Sequence, residues 1–309
     1  PPAATPGGRQ APAAPAPPGA RPPRHSPWRD DPRALVEVVS GFLAPLPEQR
    51  LPGGRNLGAV RVGGTVRRPA GEQTSAVHAL LRHLADSGFA GAPRPLGLDA
   101  AGREVLTHLE GETTGAQRPW PSWVFGEDAL RQVGRWLRGF HAASATFAPP
   151  PGARWFGERD EVRSGEVVGH HDAAPYEAVW RRADGDSTGD GELVGFVDRD
   201  LAGSAPALRD LAFTALQRVP LTAAHVAAAD GWPAGTDRRH RLRVLLEAYG
   251  WTGTTAQVLD AVRERAREHA DGLRAAAADG WAPAVALVAE GVAEGVADDE
   301  QAAAQLPQR

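Results

Sequence analysis

The chain has no cysteine among its 309 residues. Disulfides and thiolate metal sites are therefore excluded. Lysine is also missing, so all 34 basic residues are arginine. Any contact to phosphate by a basic residue other than histidine must then use a planar guanidinium fork, which does not interchange freely with a compact ammonium. No apolar run is long enough to span a bilayer, and no signal-peptide pattern is present. The expectation is a soluble, cytoplasmic protein. A net charge of −4 gives no reason to expect nucleic-acid binding, and no repeat period is visible.

What is present supports a core. Hydrophobic residues make up 42% of the chain, and the length fits one large domain or two lobes. Residues 1–27 are Pro, Ala, Gly and Arg, a composition that cannot bury a core and predicts disorder. A short helix is expected over 31–43. Strands are expected over 59–62 and 65–68, joined by Gly63-Gly64, with Gly53, Gly54 and Asn56 just ahead of them. A Gly-rich turn of this kind lets backbone N–H groups approach phosphate. Helical spacing marks 74–85, with Val77, Leu80, Leu81 and Leu84 as its stripe. Two further strands are expected over 93–98 and 104–109. Longer helices are expected over 128–143, 211–218, 238–249 and 255–278. Residues 281–309 are Ala-rich and weakly patterned, a frayed helix or a disordered tail.

The stretch from Val167 to Leu211 carries the chemistry. Two apolar runs, Val167-Val168 and Leu193 to Val197, read as short buried strands, and each runs into acids: His170-His171-Asp172 after the first, Asp198 and Asp200 after the second. The connector 184–191 is a turn signal, so the two runs are expected to pair as a hairpin with Asp172 and Asp198 on neighbouring strand ends. His170 and His171 are adjacent on an extended segment and point to opposite faces, which argues against a shared zinc ion.

His170-x-Asp172-x-x-Pro175-x-Glu177 resembles the catalytic loop of the protein-kinase-like fold in the form used by aminoglycoside phosphotransferases, His-x-Asp-x-x-Pro-x-Asn. Phe196-Val197-Asp198 resembles that family's metal-binding Asp, and Asp210-Leu211-Ala212 its Asp-Leu-Ala at a helix start. The resemblance covers roughly 50–279 and implies an α+β, two-lobe fold. The small antiparallel-sheet lobe would span about 28–108 and the helical lobe about 109–279, with tails at 1–27 and 280–309. It also implies roles. Asp172 would be the catalytic acid–base residue and His170 its buttress. Asp198 would be a Mg²⁺ ligand, and Asp210 would fix the loop backbone. Gly53, Gly54 and Asn56 would form the nucleotide loop, and His108 and Leu109 would belong to the adenine-binding hinge. Arg68 shares its strand face with residues two apart and matches the phosphate-binding Lys. His141 closes its helix in a structural role. Asp200 reads equally as an acid behind the metal or as a solvated loop residue.

Three positions depart from the family. Arg68 replaces Lys. No acid stands on the helix turn that would hold it, where Val77 and His78 are found. Glu177 replaces Asn as a metal ligand. Two functions follow from the resemblance. One is a small-molecule phosphotransferase that moves the γ-phosphate of ATP or GTP to an acceptor hydroxyl with Mg²⁺. The alternative is a catalytically degenerate kinase fold acting as a ligand-binding, immunity or regulatory protein. A cationic acceptor would want acids near Asp172, with Asp230, Asp237, Glu247 and Asp260 as candidates.

Overall fold

The structure is a computed structural model that describes residues 46–51, 58–115, 118–155, 162–182, 191–289 and 291–293. The chain divides after Leu46, and the described strands and helices all lie in Pro47–Arg309. Gly53, Gly54, Asn56 and the helix expected over 31–43 lie outside the described residues.

The first half builds one antiparallel sheet of five strands. These are β1 (Gln49–Arg50), β2 (Val60–Val62), β3 (Thr65–Pro69), β4 (Pro95–Leu98) and β5 (Arg103–Thr107), in the order β1-β2-β3-β5-β4. The β2–β3 turn falls on Gly63-Gly64, with Gly63 at φ 58°, a conformation that glycine adopts without steric cost. Period-two alternation puts Glu104 and Leu106 of β5 on the buried face. Register sets Arg68 of β3 directly opposite Glu104 and Val66 opposite Leu106. Helix α1 (Thr74–Asp86) lies between β3 and β4 in sequence and buries Val77, Leu80, Leu81 and Leu84, the stripe read from its spacing.

The second half is helical, with two small sheets. Helix α2 (Glu127–Ser144) comes after a 3₁₀ turn at Ser122–Phe125 and buries Leu130, Val133, Leu137 and Phe140. It packs on α5 (Arg238–Tyr249) at Gly134, where a Cβ would stand 2.8 Å from the Cβ of Ala248, so only glycine allows this approach. Helices α3 (Ala207–Arg218) and α6 (Thr255–Ala278) pack together, with α4 (Ala224–Asp230) between α3 and α5 in sequence and α7 (Ala282–Ala289) after α6. Helix α6 starts with a Thr254/Gln257 capping box, which satisfies donors that a helix start leaves open. None of the described helices is long and apolar enough to cross a membrane.

The expected hairpin between the two apolar runs does not form. Strand β6 (Val167–Gly169) pairs with β9 (Gly203–Ala205), and β8 (Glu192–Phe196) pairs with β7 (Ala178–Arg181). The 3₁₀ turn at Pro175–Glu177 redirects the chain straight into β7. Pairing β8 with β7 closes a shorter stretch of chain than pairing it with β6. Asp172 and Asp198 still converge, but through the hydrogen bond from Val197 N–H to the Glu177 carbonyl, 2.9 Å, rather than through paired strand ends. Trp136, Phe140, His170 and Phe196 pack beneath this junction, with Trp136 and Phe196 centroids 4.3 Å apart.

Candidate active site

The loop after β6 is held by one buried carboxylate. Asp210, in the first turn of α3, accepts the N–H of His170 on Oδ2 and the N–H of His171 on Oδ1, each at 2.8 Å. Its Oδ2 also lies 2.9 Å from His141 Nε2, and His141 Nδ1 lies 2.8 Å from the Tyr249 hydroxyl. Burial alone would raise the Asp210 pKa, but the His141 hydrogen bond and the surrounding histidines hold it far below the ordinary carboxylate range. The backbone-fixing role inferred for Asp210 thus has its geometry.

His170 and His171 serve the loop, not a ligand. Each Nε2 stands 3.0 Å from a carbonyl oxygen, that of Val197 and that of Gly203 respectively, so each ring carries its proton on Nε2. Burial pushes both rings down to about 4, leaving them neutral near pH 7. The two rings are tied to different segments, the residue after β8 and the first residue of β9, which keeps them from sharing one ion. His171 and Asp198 adopt φ of 60° and 54°. These left-handed residues cost about 1–3 kcal/mol each and persist only where surrounding bonds over-determine them. The Asp210 and Gly203 contacts do that for His171.

Asp172 is the next residue along. Its Oδ1 accepts the Tyr176 hydroxyl at 2.8 Å. Burial pushes the carboxyl up to about 7, against the opposing pull of the Tyr176 bond and with help from the nearby Asp198 charge. Glu177 is raised well above the usual range, first by burial and then by the Asp198 and Asp172 charges. Asp198 goes the other way. Burial works against its ionised form, but the Arg68 guanidinium overrides it and lowers the pKa.

Arg68 is the cation of the site, and each guanidinium nitrogen has its own acid. Nε meets Glu104, Nη1 reaches Asp198 Oδ1 at 2.8 Å, and Nη2 reaches Asp200 Oδ1 at 2.7 Å. Arg67 faces away toward Asp99, 3.7 Å distant, as the strand period requires. Of the two readings of Asp200, the structure supports membership of the site. His108 and Leu109 come after β5. The His108 N–H donates to the Gly64 carbonyl at 2.9 Å, and its ring lies 3.2 Å from Glu110. Among the described residues neither hydrogen-bonds to the carboxylate cluster. The four acids considered for a cationic acceptor have other partners. Asp230 pairs with Arg118 at 2.9 Å, Asp237 caps α5 at the His240 N–H, Glu247 lies 3.6 Å from Arg243, and Asp260 pairs with Arg263.

Two residues of the site escape a reading of the sequence. Glu104 has a signal: an acid on the buried face of an alternating strand, opposite an Arg. Tyr176 has none, because it fills a variable position of the motif.

Among the described residues, no three His, Asp or Glu side chains converge as a ready-made metal cage. Mg²⁺ rarely uses one, being held by one or two carboxylates plus phosphate oxygens and water. The donor set fits that mode. Asp172, Glu177 and Asp198 disfavour one another's ionised forms, with Arg68, Arg199 and Arg265 as nearby cations, and a hard divalent ion would relieve that repulsion.

Several solved structures superpose on this fold. The GDP complex of wild-type aminoglycoside 2'-phosphotransferase-IIIa superposes with a TM-score of 0.52 at 15% identity, over 88% of this chain and 99% of that one. A choline/ethanolamine kinase family protein from Mesorhizobium loti gives 0.55 at 17% identity, over 89% and 95%. Amicoumacin kinase hAmiN, in complex with AMP-PNP, Ca²⁺ and Ami, gives 0.55 at 10% identity, over 88% and 94%. The fold is therefore the two-lobe, α+β kinase-like fold of the phosphotransferases. No family profile matches the chain. Sequence similarity resolves it further: the trifolitoxin immunity protein of Rhizobium leguminosarum bv. trifolii is 37% identical over 205 residues, 65% of this chain and 73% of that protein. The chain belongs to the family of that immunity protein.

Proposed function

We propose that the protein is a nucleotide-dependent phosphotransferase of the immunity type, which moves the γ-phosphoryl group of ATP or GTP to a hydroxyl of a small-molecule toxin or antibiotic. The observation that carries this reading is Asp172. Its half-buried carboxyl sits on a loop fixed by Asp210, with one oxygen held by Tyr176, and burial pushes it up to about 7. A general base works best when its pKa lies near the working pH.

In this reading the five-stranded sheet with α1 forms the lobe that covers the nucleotide, and the helical half forms the other. Arg68 holds phosphate oxygens with its planar fork. The acceptor hydroxyl meets Asp172, its oxygen bonds to the γ-phosphorus as the bond to the β–γ bridging oxygen breaks, and its proton passes to the Asp172 carboxylate. The nucleoside diphosphate then leaves. Asp198 and Glu177 would hold Mg²⁺, which supplies charge neutralisation between the phosphates. His108 and Leu109 would border the base.

One observation favours a second reading, in which the chain confers immunity by binding alone. In this structure Arg68 occupies both Asp198 and Asp200. Turnover separates the two. With ATP or GTP, Mg²⁺ and a panel of hydroxyl-bearing antibiotics, the first reading predicts an acceptor that gains the mass of a phosphoryl group. Nucleotide binding without any transfer would support the second.

A further inference from the structure

We infer that Glu104, braced by His78, is the positioning residue for Arg68 and takes the place of the helix acid that holds the phosphate-binding cation in the kinase fold. The inference rests on the phosphotransferase reading above and concerns the nucleotide-phosphate side of that site.

Reach separates the two kinds of cation. A lysine offers one nitrogen, whereas arginine offers three with fixed directions. Arg68 directs Nε sideways along the sheet, onto the residue opposite it in the antiparallel register, Glu104. An acid supplied by the neighbouring strand makes an acid on α1 unnecessary. Helix α1 nonetheless remains coupled to the cation. His78 occupies the turn where the kinase fold places its helix acid, is 5% exposed, and puts Nε2 3.0 Å from the second oxygen of Glu104. Both oxygens of Glu104 are thus committed, one to the strand cation and one to the helix.

The three acids around Arg68 are not equivalent. The Glu104 side chain is 2% exposed, while those of Asp198 and Asp200 are 35% and 21% exposed. The buried partner is the lasting one, because separating it would strand a charge away from water. The two outer partners can be exchanged for phosphate oxygens, to which the same Nη1/Nη2 fork donates in bidentate fashion. Arg68 therefore pivots on Glu104 when it releases Asp198 and Asp200 to take a nucleotide.

The test is nucleotide binding to the full chain by calorimetry, with ATP and GTP as probes and thermal unfolding as a check on the fold. Glu104→Gln, which is isosteric, should weaken binding about tenfold. His78→Ala, which removes only the brace, should weaken it roughly threefold. The decisive arm is rescue. Adding His78→Glu to Glu104→Gln moves the acid from strand to helix, and should bring affinity back to within about threefold of wild type. A merely structural role for Glu104 predicts no such recovery, and its absence overturns the inference. A folded Glu104→Gln that binds like wild type also overturns it. If Glu104→Gln does not fold, His78→Ala decides, and unchanged affinity there overturns the inference. A folded wild type that binds neither nucleotide removes the phosphotransferase reading itself, and this result differs from wild type and variant binding equally.

Discussion

Replacing Asp172 by Asn should stabilise the fold while sharply reducing turnover. The carboxyl lies near 3.9 in an unfolded chain and is pushed up to about 7 in the folded one, chiefly by burial. At about 1.4 kcal/mol for each pH unit, that difference makes the ionised group cost the fold on the order of 4 kcal/mol. Asp172 is half-buried rather than sealed, and solvent screening reduces the figure to about 2 kcal/mol. The sign comes from linkage. A carboxyl whose folded pKa is raised destabilises the native state fully above about pH 7, and the penalty fades as pH falls toward the unfolded value near 4. Asn keeps an oxygen for the Tyr176 hydroxyl and cannot ionise. Chemical or thermal denaturation should therefore find Asp172→Asn more stable than wild type at pH 8, by about 2 kcal/mol or roughly 5 °C. The gap should close by about pH 4. Turnover should fall by about 10²- to 10⁴-fold, the usual contribution of a general base. A variant less stable than wild type at pH 8, or a gap that does not change with pH, would show that burial does not hold the Asp172 carboxyl up.

The remaining expectations concern the same cluster. Turnover should rise with pH through about 7, because Asp172 acts when ionised. Tyr176→Phe should move that rise upward by removing a bond that favours the ionised form, as a pH–rate profile would show. Mg²⁺ should strengthen nucleotide binding, and Asp198→Ala should abolish the gain in calorimetry. Burial, and then its acidic neighbours, raise Glu177 well above the usual carboxylate range, and a bound cation should draw it back down. Glu177→Asn should then change Mg²⁺ affinity by about tenfold and flatten its dependence on pH. Asp210→Asn should cost about 2–4 kcal/mol in urea unfolding, since one fully buried anion accepts two backbone N–H bonds and a histidine. Its folded pKa is depressed, so its contribution is complete above about pH 4–5 and is lost on further acidification. The variant should therefore show a shallower acid slope.

Much of this site can be read from the residues, and the limits have physical causes. Helix spans are legible because apolar spacing is a local property: the stripe of α1 and the ends of α5 and α6 lie where their patterns put them. The β2–β3 hairpin is legible because Gly63-Gly64 fixes its turn. Strand partners are not legible for the 167–197 stretch, because two short apolar runs with a turn signal between them do not say which neighbour each will meet. Residues Ala178 to Arg181 take the partner expected for β6. Motif spacing and strand parity single out Asp172, Asp198 and Arg68, which the structure brings into one cluster. Glu104 escapes because a search for a counter-charge along the helix suits a lysine. An arginine with a sideways Nε is satisfied by the opposite strand instead.

Phosphoryl transfer itself is the measurement on which the proposed function stands or falls. Purified protein is incubated with ATP or GTP, Mg²⁺ and a panel of hydroxyl-bearing antibiotics and toxins, and each acceptor is weighed by mass spectrometry beside a parallel reaction with Asp172→Asn. At least one acceptor should gain a phosphoryl mass with wild type and none with the variant, while both proteins bind nucleotide. Folded wild-type protein that binds nucleotide yet leaves every acceptor and the nucleotide itself intact would mean that the chain is not a phosphotransferase.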